Sequence, residues 1–415
     1  MVYSTLTEAC GKRRGVSACG TRKDSEDDHS ISSIVATTGD KPHGRCHISA
    51  MNPTEESTTG TPHVPDPHVL CTIVPPHLLD RLAQHEEPRF HEPARRTLEH
   101  DGALRTRRRV TTLRPAAMAT GRGTPADTPN RTVYDARHVE HVPGTKVHSE
   151  GDAPSQDATV NRAHAGLGAT FDLYFKVYGR RSIDDSGLPL NATVHYGQGY
   201  CNAFWDGERM VFGDGDNDLF LDFTLPVDVI GHELTHGVVQ YTANLEYYGQ
   251  PGALNESLAD VFGSLIKQYA LGQTAAEADW LIGDELLGPH VTGTALRSMK
   301  APGTAYDDDV LGKDPQPASM DDYVRTSRDN GGVHINSGIP NHAFYLVATA
   351  LGGHAWERAG KIWYATLTGG QLASDASFAD FARLTAATAR TLYGEGDEVR
   401  AVLKAWGQVG VTGAA

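Results

Sequence analysis

The sequence predicts an α+β protein of two lobes, a β-rich N-terminal lobe over residues 126–241 and an α-helical C-terminal lobe over residues 242–415, joined by a central helix. Three observations carry this reading. From Arg131 to about Phe223 the chain runs as short strand-like pieces separated by turns, with one helical run inside. Beyond Gly252 the apolar residues recur with the period of helices. Between these regions, after Leu225-Pro226, a helical run begins near Val227 and continues to about residue 241.

Residues 1–65 are rich in Ser, Thr, Gly, Asp and His without sustained periodicity, and are expected to be a disordered leader. Met51 would also make a sensible start. Residues 66–125 form a second unit. There His68-Val69-Leu70-Cys71-Thr72-Ile73-Val74-Pro75-Pro76 reads as extended, and the Pro-Pro step precedes an amphipathic run over 78–84, a pattern suited to a segment lying across a surface. Arg105-Thr106-Arg107-Arg108-Arg109 then opens a loose Pro/Gly/Thr stretch to Asn130, an exposed linker of the kind where proteolytic nicking concentrates. In the first lobe the helix over 161–178 places Ala165, Ala169, Leu173 and Val177 on an apolar stripe. The second lobe reads as helices over 254–271, 337–351, 355–368, 377–393 and 397–409, and as a long Asp/Pro/Gly-rich loop over 293–332.

Residues 1–125 carry 17 Lys+Arg against 15 Asp+Glu, which leaves 20 against 37 for residues 126–415 out of totals of 37 and 52. So acidic a body repels nucleic acid and anionic membranes, and neither is an expected partner. No run reaches the ~18–20 apolar residues that span a bilayer, and no apolar h-region of a secretory signal opens the chain. Of the cysteines Cys10, Cys19, Cys46, Cys71 and Cys201, only Cys201 lies in the body, so no disulfide framework is expected there.

The chemistry concentrates in His232-Glu233-Leu234-Thr235-His236. Residues four apart share a helical face, so both imidazoles point at one spot with Glu233 beside them, a metal-site pattern. A catalytic zinc takes three protein ligands and keeps one position for water. The next candidate is Glu256 in Asn255-Glu256-Ser257-Leu258-Ala259-Asp260, where Asp260, one turn on, can accept a hydrogen bond from an imidazole N–H of a ligand.

These motifs, with Tyr200-Cys201-Asn202-Ala203-Phe204-Trp205, Gly213-Asp214-Gly215-Asp216, Leu296-Arg297-Ser298-Met299 and Asp329-Asn330-Gly331-Gly332-Val333-His334, resemble the thermolysin family of zinc endopeptidases in the family's order, from about Arg131 to the C-terminus. The resemblance implies the family's two-lobed fold joined by the zinc-binding helix. It implies zinc on His232, His236 and Glu256, Glu233 as general base, and Tyr247 with His334 stabilising the oxyanion while Asp329 orients His334. Arg297 is implied to bind the carbonyl beyond the cut, and Asn202 with the backbone of Ala203 to align the peptide like an added strand. Phe220, Phe223, Val229, Ile282 and Leu296 match the pocket for the residue after the scissile bond. All are apolar, so cleavage before large hydrophobic residues is expected.

The chain departs from the family in two places. At the paired calcium site, matched by Asp228, Lys267, Asp279, Leu281 and Asp284, Lys267 and Leu281 replace acids, and calcium is expected to be absent there. The leader segment with Cys71, Pro75, Pro76 and Leu78 is similar to the short propeptide of protealysin-like members, which implies a zymogen whose own propeptide lies in the cleft, with Cys71 a candidate fourth zinc ligand. The expected molecule is thus a monomeric zinc endopeptidase acting on peptides or proteins and matured by cleavage between about residues 105 and 130. It is expected to be secreted without a recognisable signal, with a cytoplasmic precursor as the variant reading. The alternative is a catalytically silent peptide-binding protein on the same fold.

Overall fold

Chain order begins with two leader helices, α1 (Pro76–Leu82) and α2 (Pro88–Thr111), in a computed structural model that describes residues 71–111 and 127–413, with backbone alone at 105–111. Pro75 caps α1 in an extended conformation and Pro76 occupies its first turn, where the missing N–H costs nothing. Helix α2 corrects the sequence reading, because the backbone stays helical through Arg105–Arg109 to Thr111 instead of loosening there. Pro88 opens the helix, whereas Pro93 lies inside it and supplies no N–H to the Arg89 carbonyl one turn back. The expectations for residues 1–65 and for the rest of the linker lie outside the described residues, except that 127–130 lead directly into the first strand.

The first lobe is a five-stranded sheet built from β1 (Arg131–Asp135), β2 (Thr145–Ser149), β3 (Leu190–Val194), β4 (Ala203–Trp205) and β5 (Met210–Phe212), in the order β2-β1-β3-β5-β4. β1 and β3, and β3 and β5, run parallel, whereas β4 pairs antiparallel with β5 and forms one edge. Between β2 and β3 lies α3 (Ala158–Tyr178), whose first N–H groups are capped by Asp157 and whose end turns at the left-handed Gly179 (φ 72°). Of the predicted stripe only Leu173 is fully buried, and the inward face lies mostly elsewhere. Ala165 is exposed, and Ala169 and Val177 are only partly buried, while Val160, Ala163, Leu167, Phe171 and Tyr174 are buried. The aromatic rings of Phe171 and Tyr174 carry more apolar area than the alanines, and they decide which side turns inward.

The central helix α4 (Val227–Gln240) is buried from Asp228 through Val239, as a helix enclosed on all sides must be. It lies against α5 (Gly249–Leu271), and the approach depends on Gly231 and Gly263. A Cβ at Gly263 would stand 2.6 Å from the Asp228 carbonyl, and one at Gly231 would stand 3.2 Å from the Gly263 Cα. The short strand β6 (Leu281–Ile282) precedes the segment 293–332 that was expected to be one long loop, and β7 (Arg297–Ser298), β8 (Asp307–Asp308) and β9 (Gly312–Lys313) punctuate that segment itself. The helices α6 (Asp329–Asn336), α7 (Gly338–Leu351), α8 (Ala359–Thr368), α9 (Phe378–Tyr393) and α10 (Asp397–Gln408) complete the second lobe.

Candidate active site

On α4, His232 and His236 present their Nε2 atoms to each other at 3.1 Å. Each Nδ1–H is already committed. His232 donates to Asp260 Oδ1 (2.8 Å) and His236 to Asn255 Oδ1 (2.9 Å), both acceptors standing on α5. The Asn255 orientation follows from its own amide, whose Nδ2 lies 3.5 Å from the Leu245 carbonyl. Burial holds both imidazoles down at about 4, so both are neutral and both Nε2 atoms are lone pairs. Two lone pairs at this distance cannot hydrogen-bond to each other.

Glu256 closes the third side, 3.5 Å from His232 Nε2 through Oε2 and 3.5 Å from His236 Nε2 through Oε1. Its Oε2 is buried and makes no hydrogen bond. These separations match the ~3.3 Å edges of a tetrahedron with zinc bonds of ~2.0–2.1 Å. Facing lone pairs beside a buried, unsatisfied carboxylate oxygen are what a divalent cation resolves, so the donor set fits zinc. Cys71 comes from the leader, and its Sγ lies within 4.8 Å of ligand atoms of His236 and Glu256.

Glu233, on the same helix, accepts the backbone N–H of Trp205 on β4 at 3.0 Å. Across the cleft, α6 starts irregularly, with Asp329, Asn330, Gly331 and Gly332 all at positive φ (52°, 48°, 82° and 80°). This left-handed turn, which glycine adopts without strain, folds Asp329 back on the helix it precedes. One Asp329 oxygen accepts from His334 Nδ1 (2.6 Å) and the other from the His334 backbone N–H (2.9 Å). Burial opposes a charge on His334, but Asp329 and Glu256 outweigh it and push the imidazole up to about 9. His334 Nε2 is therefore a donor aimed into the cleft. Tyr247 lies 3.2 Å from it and donates its hydroxyl to Glu256 Oε1.

Asp260 joins the parts. Besides holding His232 it takes a bidentate pair from Arg297 on β7 (2.8 and 2.9 Å) and the amide of Asn341 on α7 (2.8 Å). These donors outweigh burial and keep its carboxylate ionised well below the usual range. The leader strand fills the space between. Thr72 bridges antiparallel to Phe204, and Ile73 N–H donates to the Ala203 carbonyl (3.2 Å), adding a strand to the exposed edge of β4.

Comparison with known proteins places this site. The family model for the thermolysin metallopeptidase catalytic domain matches residues 117–240, and that for the thermolysin metallopeptidase alpha-helical domain matches residues 243–411. An extracellular metalloprotease of Pectobacterium carotovorum subsp. carotovorum is 51% identical over 316 residues, covering 76% of this chain and 89% of that protein. The chain belongs to the thermolysin family of metallopeptidases. Protease PrtS of a Photorhabdus species is 48% identical over 341 residues, 82% of this chain and 91% of its own. The solved precursor of protealysin, a metalloproteinase from Serratia proteamaculans, superposes with a TM-score of 0.73 at 49% identity, over 82% of this chain and all of that one. Thermolysin-family membership and the His232, His236 and Glu256 donors make this a zinc metalloendopeptidase with a protealysin-like precursor form.

The residues expected to line the pocket, Phe220, Phe223, Val229, Ile282 and Leu296, are all buried and belong to the main hydrophobic core. Arg297 and Ile282 pair directly across β6 and β7, and Val229 lies one turn before Glu233 on α4. Pro75 and Pro76 sit where the leader leaves the cleft. Several participants were not anticipated. Asn255, which orients His236, stands inside a motif already quoted and could have been paired with the second histidine by the same helical spacing that suggested Asp260. Asp101 and Thr97 on α2, which hold Asn202 and the Cys201 N–H, left no signal in the sequence.

Proposed function

We propose that this protein is a zymogen that hydrolyses peptide bonds on the N-terminal side of large hydrophobic residues, with Glu233 as general base. The observation that carries this reading is the placement of His334 and Arg297 on successive carbonyls of one extended strand, with Glu233 held by the neighbouring β4, beside the His232, His236 and Glu256 donors. The chemistry a bound zinc supplies there is polarisation of the scissile carbonyl and a lowered pKa, towards ~7, for a water at its open position. Glu233, fixed by the Trp205 N–H, receives the proton of the attacking water at its carboxylate and delivers it to the leaving amine. His334 Nε2, charged through Asp329, donates to the carbonyl oxygen as it gains charge, with Tyr247 beside it. Arg297, held flat by Asp260, binds the next carbonyl, while Asn202 and Ala203 fix the strand and the apolar pocket takes the side chain after the cut.

Replacing Glu233 by Gln should lower kcat/KM on a peptide with Leu after the scissile bond by roughly 10²–10⁴-fold with zinc retained. Equal turnover of Asp or Gly at that position would remove the specificity reading. Peptide binding without turnover by zinc-loaded, leader-free protein would favour the silent binding protein. In the precursor the Cys71 thiol is a candidate further zinc ligand, supported by its closeness to His236 and Glu256, and it would have to leave the open position before a water could attack there. A Cys71→Ala precursor should then start cutting a reporter peptide sooner, and an unchanged lag would take the thiol out of the account. An extracellular destination is carried over from the Pectobacterium relative's name, and detection of the protein in culture supernatant tests it.

A further inference from the structure

We propose that the Thr72–Ile73 peptide bond of the leader sits in the cleavage register of its own active site and is cut there in cis. The inference rests on the reading above and adds a bond, a register and an order of events.

Polarity decides the register. The Thr72 carbonyl accepts from His334 Nε2 at 3.2 Å, the Ile73 N–H donates to the Ala203 carbonyl at 3.2 Å, and the Ile73 carbonyl accepts from Arg297 Nη1 at 3.1 Å. Val74 follows, its N–H on Asn202 Oδ1 at 3.0 Å and its carbonyl 3.5 Å from Asn202 Nδ2. The donor for a developing oxyanion therefore meets Thr72, and the arginine for the carbonyl beyond the cut meets Ile73. A shift by one residue would turn every donor and acceptor of the strand the wrong way.

The side chains agree with the backbone. Ile73, the residue after the bond, is a large aliphatic side chain and is fully buried, as the apolar preference proposed for that position requires. Both positions that must donate an N–H, Ile73 and Val74, are free of proline, and the prolines begin only at Pro75, where the chain leaves the cleft for α1.

Hydrolysis adds water across the amide, leaving a carboxylate on Thr72 and an amine on Ile73. It does not free the leader at once. Downstream of the cut, α2 stays anchored by Tyr200 on Asp101 (2.6 Å) and by the Cys201 N–H on Thr97 (3.1 Å), and Arg81 of α1 still donates to the Asp309 and Val310 carbonyls. The cut thus ends the continuous strand across the cleft before the leader dissociates, and it differs from maturation within the linker between 105 and 130.

The test is a time course of zinc-loaded full-length precursor, read by intact mass and N-terminal sequencing, with a Leu-containing reporter peptide assayed in parallel. The expected result is a new N-terminus at Ile73. It should form at a rate unchanged over a tenfold range of precursor concentration, be absent from Glu233→Ala, and be slowed at least ~10-fold by Ile73→Asp. An intact Thr72–Ile73 bond in precursor that hydrolyses the reporter, before or after nicking with trypsin, overturns the proposal and leaves the protease reading standing. A rate that rises with precursor concentration overturns cleavage in cis. Trypsin-nicked, zinc-loaded protein that cuts no peptide at all overturns the protease reading, and the proposal with it.

Discussion

His77 sits at the start of α1 with both ring nitrogens buried and without hydrogen-bond partners. Burial, helped by His334 and Arg297, outweighs the attraction of Asp329 and brings the imidazole down to about 4, against 6.5 when free. A histidine lowered on docking favours the docked leader fully above 6.5, and that contribution is lost as pH falls towards 4. Leader binding should therefore weaken by up to roughly tenfold per pH unit across that window. The rate at which trypsin-nicked leader dissociates measures this, and His77→Phe should flatten the dependence. At this scale the zinc donors were legible because helical spacing fixes direction: His232 and His236 had to converge, and Asp260 had to follow Glu256 by one turn. The Trp205 contribution was not legible, since a backbone N–H that orients Glu233 leaves no trace in a side chain.

Among elements, α5 carries a substitution with its own consequence. Lys267 places its ammonium 2.8 Å from Asp279, 2.9 Å from Asp284 and 3.6 Å from the wholly buried Asp228, whose carboxyl burial pushes up to about 7 despite the lysine. A fixed cation thus occupies the midst of the carboxylates. Calcium chelation that spares zinc should leave Tm unchanged, while Lys267→Met, which leaves Asp228 to take up a proton without its ionic partner, should cost about 1–3 kcal/mol. Lys267→Glu should make Tm rise with added calcium, and indifference of that variant to calcium would show that charge alone does not shape the site. The lysine was legible from its position in the motif order. Helix α2 was not, because Pro88, Pro93 and its arginines mask a helix whose stability comes from docking on Tyr196 and Tyr200 through His100 and Asp101. The stripe on α3 failed for a related reason: period alone does not say which of two faces packs, and the larger rings settle it.

The described residues form a cleft between a sheet edge and a helical lobe, filled by a segment of their own chain. The two-lobed order, the central helix and most second-lobe helices were readable because strand and helix periods segregate along the sequence. From its own residues the leader was readable only as a surface-crossing segment, and its place in the cleft came from the family resemblance, since the pairing of Thr72 with Phe204 spans a separation that no local pattern reports. One carboxylate gives this architecture a further property. Asp260 binds the metal ligand His232 with one oxygen and Arg297, which grips the leader carbonyl, with both. This shared carboxylate predicts that peptide and zinc occupancy are linked, and linkage is reciprocal: whatever seats Arg297 more firmly should also tighten the metal. Zinc should pass to a competing chelator more slowly from intact precursor than from leader-free enzyme, and Asp260→Asn should narrow that difference while lowering zinc affinity roughly 10–100-fold. A dormant precursor is in this sense also the custodian of its metal, so readiness to cut and vulnerability to metal scavengers begin at the same moment.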